Sequence, residues 1–156
     1  MIHFLFDLDD TLIMHNNKPI NYDMIGEDLI LGKLLGKCKG SCYIYTNGTG
    51  SHAISILKNM KIIDYFEKIY SRDTIPHMKP YYKSFDDVQT DLSFRDSEPK
   101  VIFFFDDQLD NLRTASKLGW MTFWIHPEHY KSRNYHYVNM AFPNIKDCLR
   151  YLERKM

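Results

Sequence analysis

The chain has 156 residues, a length that suits one domain, residues 1–156, burying roughly 68–70% of its unfolded surface. Its 20 basic and 20 acidic residues balance, so the composition supports neither a nucleic-acid surface nor binding to an anionic membrane. The cysteines are too few for a disulfide framework and odd in number: Cys38, Cys42 and Cys148. They indicate a reducing compartment, and the start of the chain lacks the regions of a secretory signal. We therefore expect a cytoplasmic protein.

The predicted strands are short apolar or aromatic runs. The first, from Ile2 to Phe6, is typical of a strand buried on both faces. Four more are predicted further along the chain, at Cys42–Tyr45, Phe66–Ser71, Val101–Phe105 and Met121–Ile125. The segment from His126 to Pro143, rich in His and Tyr, is predicted as a loop, with a short strand near Tyr137 to Met140 as an alternative.

Helical patterns lie between these strands. Asp23 is predicted to cap the first helix, which ends at Gly36. The second is predicted to begin at Ser51 and to bury a face made of Ile54, Leu57, Met60 and Ile63. The others are predicted from Pro80, from Gln108 to Leu118 and from Ile145 to Arg154, with a polar connector containing Pro99 between Arg95 and Lys100. Because strands alternate with helices, we predict an α/β fold with one doubly wound, mostly parallel, five-stranded sheet.

Three carboxylates, Asp7, Asp9 and Asp10, follow the first strand. Like charges this close repel one another unless a cation or a proton lies among them. A single aspartate could merely close a turn by bonding its own backbone. Three of them favour a metal site over a turn.

Polar residues follow other predicted strands as well: Thr46, Asn47 and Gly48, then Lys79, then Asp106 and Asp107. The carboxyl ends of parallel strands meet at one edge of a sheet, where ligands bind. Carboxylates from two strand ends suit Mg²⁺, and a lysine with nearby backbone amides could neutralise a phosphate. The pattern therefore predicts phosphoryl transfer, in which one carboxylate attacks phosphorus and another serves as general acid and base.

Structural explanations exist for each of these residues. Thr46 or Asn47 could cap the helix that follows, and Asp107 could cap the next one. Lys79 alone would be a solvated surface lysine, and Asp10 is expected to support the turn after the first strand. Side chains that could border the crevice are left unassigned, because exposed loops accumulate them: His15, His126, His129, Tyr130 and His136.

Four segments together resemble, in order, the motifs of the haloacid dehalogenase superfamily of phosphatases. They are Asp7-Leu8-Asp9-Asp10-Thr11-Leu12, Thr46-Asn47-Gly48, Lys79-Pro80 and Phe105-Asp106-Asp107. The resemblance covers roughly residues 2 to 125 and implies a catalytic domain of that superfamily's Rossmann-like type.

The resemblance also implies roles for the acidic residues. Asp7 would be the nucleophile and a metal ligand. Asp9 would be the general acid and base, and would bind the metal through its backbone carbonyl. Asp106 would bind Mg²⁺, directly or through water, and Asp107 would orient Lys79 or a metal-bound water.

The remaining motif residues would hold the phosphate. Thr46 and the backbone amides of Asn47 and Gly48 would bind the phosphoryl oxygens, and Lys79 would fix both the phosphate and Asp7. The reaction implied is hydrolysis of a phosphomonoester through an aspartyl-phosphate.

Many members of this superfamily carry a cap domain that covers the site, and this chain leaves no room for one. An uncapped site implies a macromolecular substrate, a lid from another subunit of a homo-oligomer, or loose specificity. The segments Tyr45-Thr46-Asn47-Gly48 and Phe104-Phe105-Asp106-Asp107 are similar to the pyrimidine 5′-nucleotidase branch. We therefore predict a phosphatase for a small phosphomonoester such as a nucleoside monophosphate. The alternatives are a phosphoprotein or other macromolecular phosphatase and a non-catalytic regulatory module.

Overall fold

The computed structural model describes residues 1–95 and 100–156. Strands from both ranges form one parallel sheet. The strands found there are β1 (Ile2–Phe6), β2 (Ser41–Tyr45), β3 (Phe66–Tyr70), β4 (Val101–Asp106), β5 (Met121–Ile125) and β6 (Met140–Phe142). Their order across the sheet is β3-β2-β1-β4-β5-β6, and every neighbouring pair is parallel. The α/β prediction is thus confirmed. Part of the predicted polar connector, including Pro99, lies outside the described residues.

The predicted number of strands was too low, because the described residues form six strands and not five. The additional strand, β6, lies at the edge of the sheet and pairs Met140 with Phe123 and Phe142 with Ile125. The alternative strand near Tyr137 to Met140 meets it only at its last residue. Three half-buried residues at an edge are too few to produce a recognisable apolar alternation.

The described part of the chain contains five α-helices: α1 (Leu29–Gly36), α2 (Gly50–Asn59), α3 (Tyr82–Arg95), α4 (Leu109–Lys117) and α5 (Ile145–Lys155). The first four connect strands, and α5 follows β6. None of the helices in residues 1–95 and 100–156 combines the length and the apolar character needed to cross a membrane. In α2, Ile54 is exposed, while Ala53, Ile56 and Leu57 are buried, so the predicted buried face was partly wrong.

The predicted start of the first helix was also wrong. Asp23 lies in a separate 3₁₀ turn, Tyr22–Met24, which is capped by the side chain of Asn21. Ile25 then adopts an extended conformation, with φ −89° and ψ 118°, and interrupts the helical path. The cap of α1 is Asp28, whose carboxylate accepts a hydrogen bond from the Leu31 N–H at 3.0 Å.

Each face of the sheet carries its own apolar layer because successive side chains of a strand point to opposite faces. Phe4 and Phe6 pack with residues of α1, α2 and α5 on one face. Leu5 and Phe104 pack with residues of α3 and α4 on the other. The sheet is therefore covered on both sides, as predicted for a doubly wound fold, and its carboxyl edge is left to polar residues.

A stack of three phenylalanines joins the central strands. The Phe105 ring lies 4.6 Å from the rings of both Phe6 and Phe123, centroid to centroid, and is fully buried. We expect Phe105→Ala to lower the free energy of unfolding by about 3–5 kcal/mol, because the substitution leaves a cavity that the surrounding side chains fill only in part. Urea unfolding measures this, with Phe94→Ala as the control, since 85% of Phe94 is exposed. Equal unfolding midpoints for the two variants would contradict this account of the core.

Candidate active site

The predicted site residues meet at the carboxyl edge of the central strands. Asp7 follows β1, Thr46 follows β2, and Asp106 is the last residue of β4. Because β1 lies between β2 and β4, these three strand ends are adjacent. They surround a cavity of about 220 Å³ lined by Asp7, Asp9, Asp10, Thr46, Asn47, Gly48, Lys79, Asp107, Gln108 and Asn111. His126, His129, Tyr130 and His136 are not among its lining residues.

Lys79 lies buried at the floor of this cavity, so the surface-lysine explanation was wrong. Its side chain is 1% exposed, and its Nζ lies 3.1 Å from Asp7 Oδ1 and 2.8 Å from Asp106 Oδ2. A third hydrogen bond, 2.8 Å long, goes to the Tyr45 carbonyl. Burial alone would lower the pKa of Lys79, but the Asp106 and Asp7 carboxylates outweigh it and hold this pKa above its ordinary value. Lys79 is therefore a fixed positive charge facing two carboxylates.

Asp7 is buried within a crowded group of acids. Its Oδ2 accepts a hydrogen bond from Thr11 Oγ1 at 3.0 Å, and its Oδ1 faces Lys79. Burial raises the pKa of Asp7 well above its usual range, and the Asp106 charge raises it further against the opposing effect of Lys79. Burial likewise raises the pKa of Asp107 to about 6. Carboxylate oxygens of Asp7, Asp106 and Asp107 lie within 4.8 Å of one another.

This donor set fits a divalent cation. Asp7 and Asp106 face Lys79, and the Asp107 carboxylate lies close to both of them. Carboxylate oxygens are the hard ligands that Mg²⁺ prefers. The predicted ligands were Asp7, Asp9 and Asp106. The structure groups Asp7 and Asp106 with Asp107, and the side chain of Asp9 points to other partners, described below. A role for Asp9 through its backbone carbonyl stays a prediction.

Asp106 organises the entrance to α4. It is fully buried, its Oδ1 accepts a hydrogen bond from the Gln108 N–H at 2.8 Å, and its Oδ2 also accepts one from Asn111 Nδ2 at 3.0 Å. The helix cap residue, Gln108, makes no side-chain capping bond, and Asp107 accepts from Gln108 Nε2 instead. The capping explanation of Asp107 was therefore wrong. All three donors of Lys79 are taken by Asp7, Asp106 and the Tyr45 carbonyl, so none is left for Asp107 to orient. The other predicted role of Asp107, orienting a metal-bound water, stays a prediction.

The second motif is built around Asn47. Its Oδ1 accepts from the Lys79 N–H at 2.8 Å, and its Nδ2 donates to the Lys79 carbonyl at 3.0 Å. These two bonds fasten the loop carrying Lys79 to the end of β2. The cap of α2 is Thr49, whose hydroxyl accepts from the His52 N–H at 3.2 Å, so the capping explanations of Thr46 and Asn47 were wrong.

Thr46 and Gly48 lie beside one another at the cavity. The Thr46 hydroxyl is buried and accepts a hydrogen bond from the Gly48 N–H at 3.1 Å. Across the cavity, Asp10 has the left-handed φ of 61° and accepts from the His15 N–H at 3.0 Å. The prediction that Asp10 supports the turn after β1 is thus confirmed.

Two histidines contact Asp9, and the sequence reasoning assigned neither to the site. His15 Nε2 lies 2.6 Å from Asp9 Oδ1, and His52 Nε2 lies 3.0 Å from both carboxylate oxygens. His52 stands in the first turn of α2, directly after the Thr46-Asn47-Gly48 motif. The position of His52 just after a motif at the carboxyl edge was a signal that it could reach the site. For His15 the only signal was its closeness in sequence to Asp9.

The parallel sheet with helices on both faces and acidic residues at its carboxyl edge defines a Rossmann-like α/β fold. The family model for haloacid dehalogenase-like hydrolases matches residues 30–125, more than half of the chain. The chain therefore belongs to the haloacid dehalogenase-like hydrolase family, and the resemblance seen in its motifs is confirmed.

Solved structures share this fold at low sequence identity. The L-2-haloacid dehalogenase of Xanthobacter autotrophicus gives a TM-score of 0.64 at 15% identity over 86% of this chain, which spans only 64% of that protein. A protein from Bacillus subtilis, described as a hydrolase of this family bound to magnesium, gives a TM-score of 0.57 at 18% identity. The match covers 80% of this chain and 52% of that protein.

One similar structure is itself a core domain. It belongs to a Streptococcus pneumoniae protein described as a phosphoglycolate phosphatase, and it gives a TM-score of 0.61 at 18% identity. The match covers 97% of this chain and 94% of that domain. Likeness at these identities shows the fold.

Proposed function

We propose that the protein is a Mg²⁺-dependent phosphomonoester hydrolase that works through an aspartyl-phosphate on Asp7. The observation that carries this proposal is the buried Asp7 carboxylate, held 3.1 Å from Lys79 Nζ beside two further acids at the cavity floor. A nucleophile and a fixed cation next to an oxygen-rich metal site are the parts that phosphoryl transfer requires.

Mg²⁺ bound by Asp7, Asp106 and Asp107 would neutralise the charge of these acids and of the phosphoryl group. The chain itself contains more negative than positive charge at this point, with three carboxylates against Lys79. The Bacillus subtilis protein of the same fold is described as bound to magnesium, which supports the choice of cation.

The residues of the chain divide the reaction into two steps. Asp7 attacks phosphorus, forming an oxygen–phosphorus bond as the bond to the leaving oxygen breaks, and Asp9 gives that oxygen a proton. Water then attacks the phosphorus, Asp9 takes up its proton, and the bond to Asp7 breaks to release inorganic phosphate. Lys79 holds Asp7 in place and, with Thr46 and the amides of Asn47 and Gly48, balances the phosphoryl charge.

Nucleoside monophosphates are the substrate class that we favour, on the similarity of the second and fourth motifs to the pyrimidine 5′-nucleotidase branch. The cavity, at about 220 Å³, suits a phosphoryl group, so the rest of a substrate would extend beyond it. This size also suits a phosphorylated macromolecule, which an uncapped site would admit. Two further hypotheses are a homo-oligomer in which a second subunit covers the site and a regulatory module without catalytic activity.

Phosphate release tests the proposed function. The substrates are p-nitrophenyl phosphate and a panel of nucleoside monophosphates, each with Mg²⁺ or with EDTA. We expect phosphate release with Mg²⁺ and none with EDTA. The ranking of release rates within the panel tests the assignment of nucleoside monophosphates as substrates. Halide release from 2-chloropropionate without any phosphate release would contradict the proposal and favour a dehalogenase.

Asp106→Ala tests the metal site. We expect the Mg²⁺ concentration for half-maximal activity to rise at least about tenfold, because a carboxylate that binds or orients metal ligands is removed. Asp110→Ala is the matched control, since Asp110 is an exposed aspartate in the same region, in the first turn of α4. An unchanged Mg²⁺ dependence in Asp106→Ala would place the cation elsewhere.

A further inference from the structure

We propose that His52, held by Tyr22, is a positioning residue for Asp9, and that it acts with His15 to hold the Asp9 carboxylate in one orientation. This inference rests on the proposed function, because it concerns the proton that Asp9 gives to the leaving oxygen. It adds residues outside the four motifs to the site.

The two histidines enclose the Asp9 carboxylate on one side. Oδ1 receives His15 Nε2 at 2.6 Å and His52 Nε2 at 3.0 Å, whereas Oδ2 has only the second contact of His52, also at 3.0 Å. The histidine side chains are 13% and 15% exposed, and that of Asp9 is 33% exposed. The imidazoles are thus largely shielded from water, while the carboxylate reaches the cavity.

A second contact fixes the tautomer of His52. The Tyr22 hydroxyl lies 2.6 Å from His52 Nδ1, on the side of the ring opposite Asp9. An ionised carboxylate only accepts hydrogen bonds, so His52 Nε2 carries the hydrogen and Nδ1 accepts from the tyrosine. The result is a chain of hydrogen bonds in which the phenol donates to the imidazole and the imidazole donates to the carboxylate.

Tyr22 is itself anchored along α2. Its carbonyl accepts a hydrogen bond from Asn59 Nδ2 at 2.9 Å, near the end of that helix, while its hydroxyl reaches His52 in the first turn. The His52 ring also lies against Gly48, where an added Cβ would come within 3.1 Å of its Cδ2. His52 is therefore held between the phosphate-binding motif and Asp9.

These contacts hold the Asp9 carboxylate in one orientation. His15 Nε2 contacts Oδ1, and His52 Nε2 contacts both Oδ1 and Oδ2, so rotation of the carboxylate would break these contacts. Fixing the carboxylate in one orientation favours proton transfer, since a general acid must lie within hydrogen-bond reach of the leaving oxygen. Loss of His52 should therefore slow reactions that need this proton more than reactions that do not.

Two esters with different leaving groups separate these cases. Phenolate leaves poorly without a proton, whereas p-nitrophenolate leaves readily. For His52→Ala we expect kcat/KM for phenyl phosphate to fall about 10²-fold, within the range assigned to general acid catalysis. With p-nitrophenyl phosphate the fall should be less than about tenfold, since little acid catalysis is needed.

Two further variants identify the hydrogen bonds themselves. His52→Gln places an amide N–H near the position of Nε2 and should recover part of the phenyl phosphate activity. Tyr22→Phe removes one hydroxyl and should change kcat/KM in the same selective manner, but less. His136→Ala is the histidine control, because His136 is exposed and lies outside the cavity lining.

The outcomes distinguish failure of this inference from failure of the proposed function. A wild-type protein that hydrolyses neither ester with Mg²⁺ would overturn both. If the wild type is active and His52→Ala lowers kcat/KM by the same factor for both esters, the positioning role alone would be overturned. Thermal unfolding shows whether each variant is folded; if His52→Ala is not, Tyr22→Phe and His52→Gln decide, and uniform effects in both would overturn the inference.

Discussion

Replacing Asp7 with asparagine is expected to lower phosphate release by at least about 10³-fold, because a neutral amide does not attack phosphorus. The fold should persist, since the asparagine carbonyl can still accept the hydrogen bond that Lys79 Nζ makes to Asp7 Oδ1 at 3.1 Å. Steady-state release from p-nitrophenyl phosphate with saturating Mg²⁺ measures the effect.

The same variant makes a prediction about stability without metal. The pKa of Asp7 is raised in the folded protein, so its ionisation at neutral pH opposes folding. We therefore expect Asp7→Asn in EDTA to be at least as stable as the wild type at pH 7, and the difference to shrink as the pH falls and Asp7 becomes protonated. Asp110→Asn serves as the surface control.

Phosphate release by Asp7→Asn close to that of the wild type would contradict the role of Asp7 as nucleophile.

Lys79→Met should give the largest loss of stability among these site variants. Methionine has a similar length but no charge, so the carboxylates of Asp7 and Asp106 would be left buried without their cation. Breaking one side of a buried ion pair costs about 3–5 kcal/mol. We also expect a higher KM and a lower kcat, since the charge that balances the phosphoryl group is lost.

Urea unfolding with EDTA and with Mg²⁺ checks this expectation. Mg²⁺ should restore part of the lost stability of Lys79→Met, because a cation bound at the carboxylates replaces the missing charge. Lys58→Met is the matched control, since Lys58 is exposed on α2 and its replacement should change stability by about 0.5 kcal/mol or less. An unchanged unfolding free energy in Lys79→Met would show that this ion pair contributes nothing.

The central strands were predictable because they are buried on both faces. Residues such as Phe4, Leu5 and Phe104 are fully covered by helices, so each strand reads as an apolar run. The edge strand β6 was not predictable in the same way, since its three residues are half-buried and follow a polar loop. Asp23 and Asp28 both precede apolar residues, and only the extended backbone at Ile25 decides which of them caps α1.

Some residues of the candidate site could likewise be predicted from the sequence, and others could not. Core packing does not require acidic residues at the carboxyl end of a buried strand, which is why Asp7 and Asp106 could be found in the sequence. The partners of Asp9 were not assigned, because a histidine in the first turn of an amphipathic helix resembles an ordinary polar residue even where it follows a strand-end motif. The contact of His52 with Asp9 depends on the direction of a side chain and on the path of the loop that carries Tyr22.

Trapping the covalent intermediate tests the central claim most directly. The Asp9→Asn variant is mixed with p-nitrophenyl phosphate and Mg²⁺, quenched in acid, digested, and analysed by mass spectrometry. This ester needs little help from an acid, but water cannot be activated without Asp9, so the intermediate should accumulate. We predict one phosphoryl group on Asp7, absent when Asp7 is also replaced by asparagine. A phosphoryl group on another residue, or none on Asp7 during measurable release of p-nitrophenol, would contradict the aspartyl-phosphate mechanism.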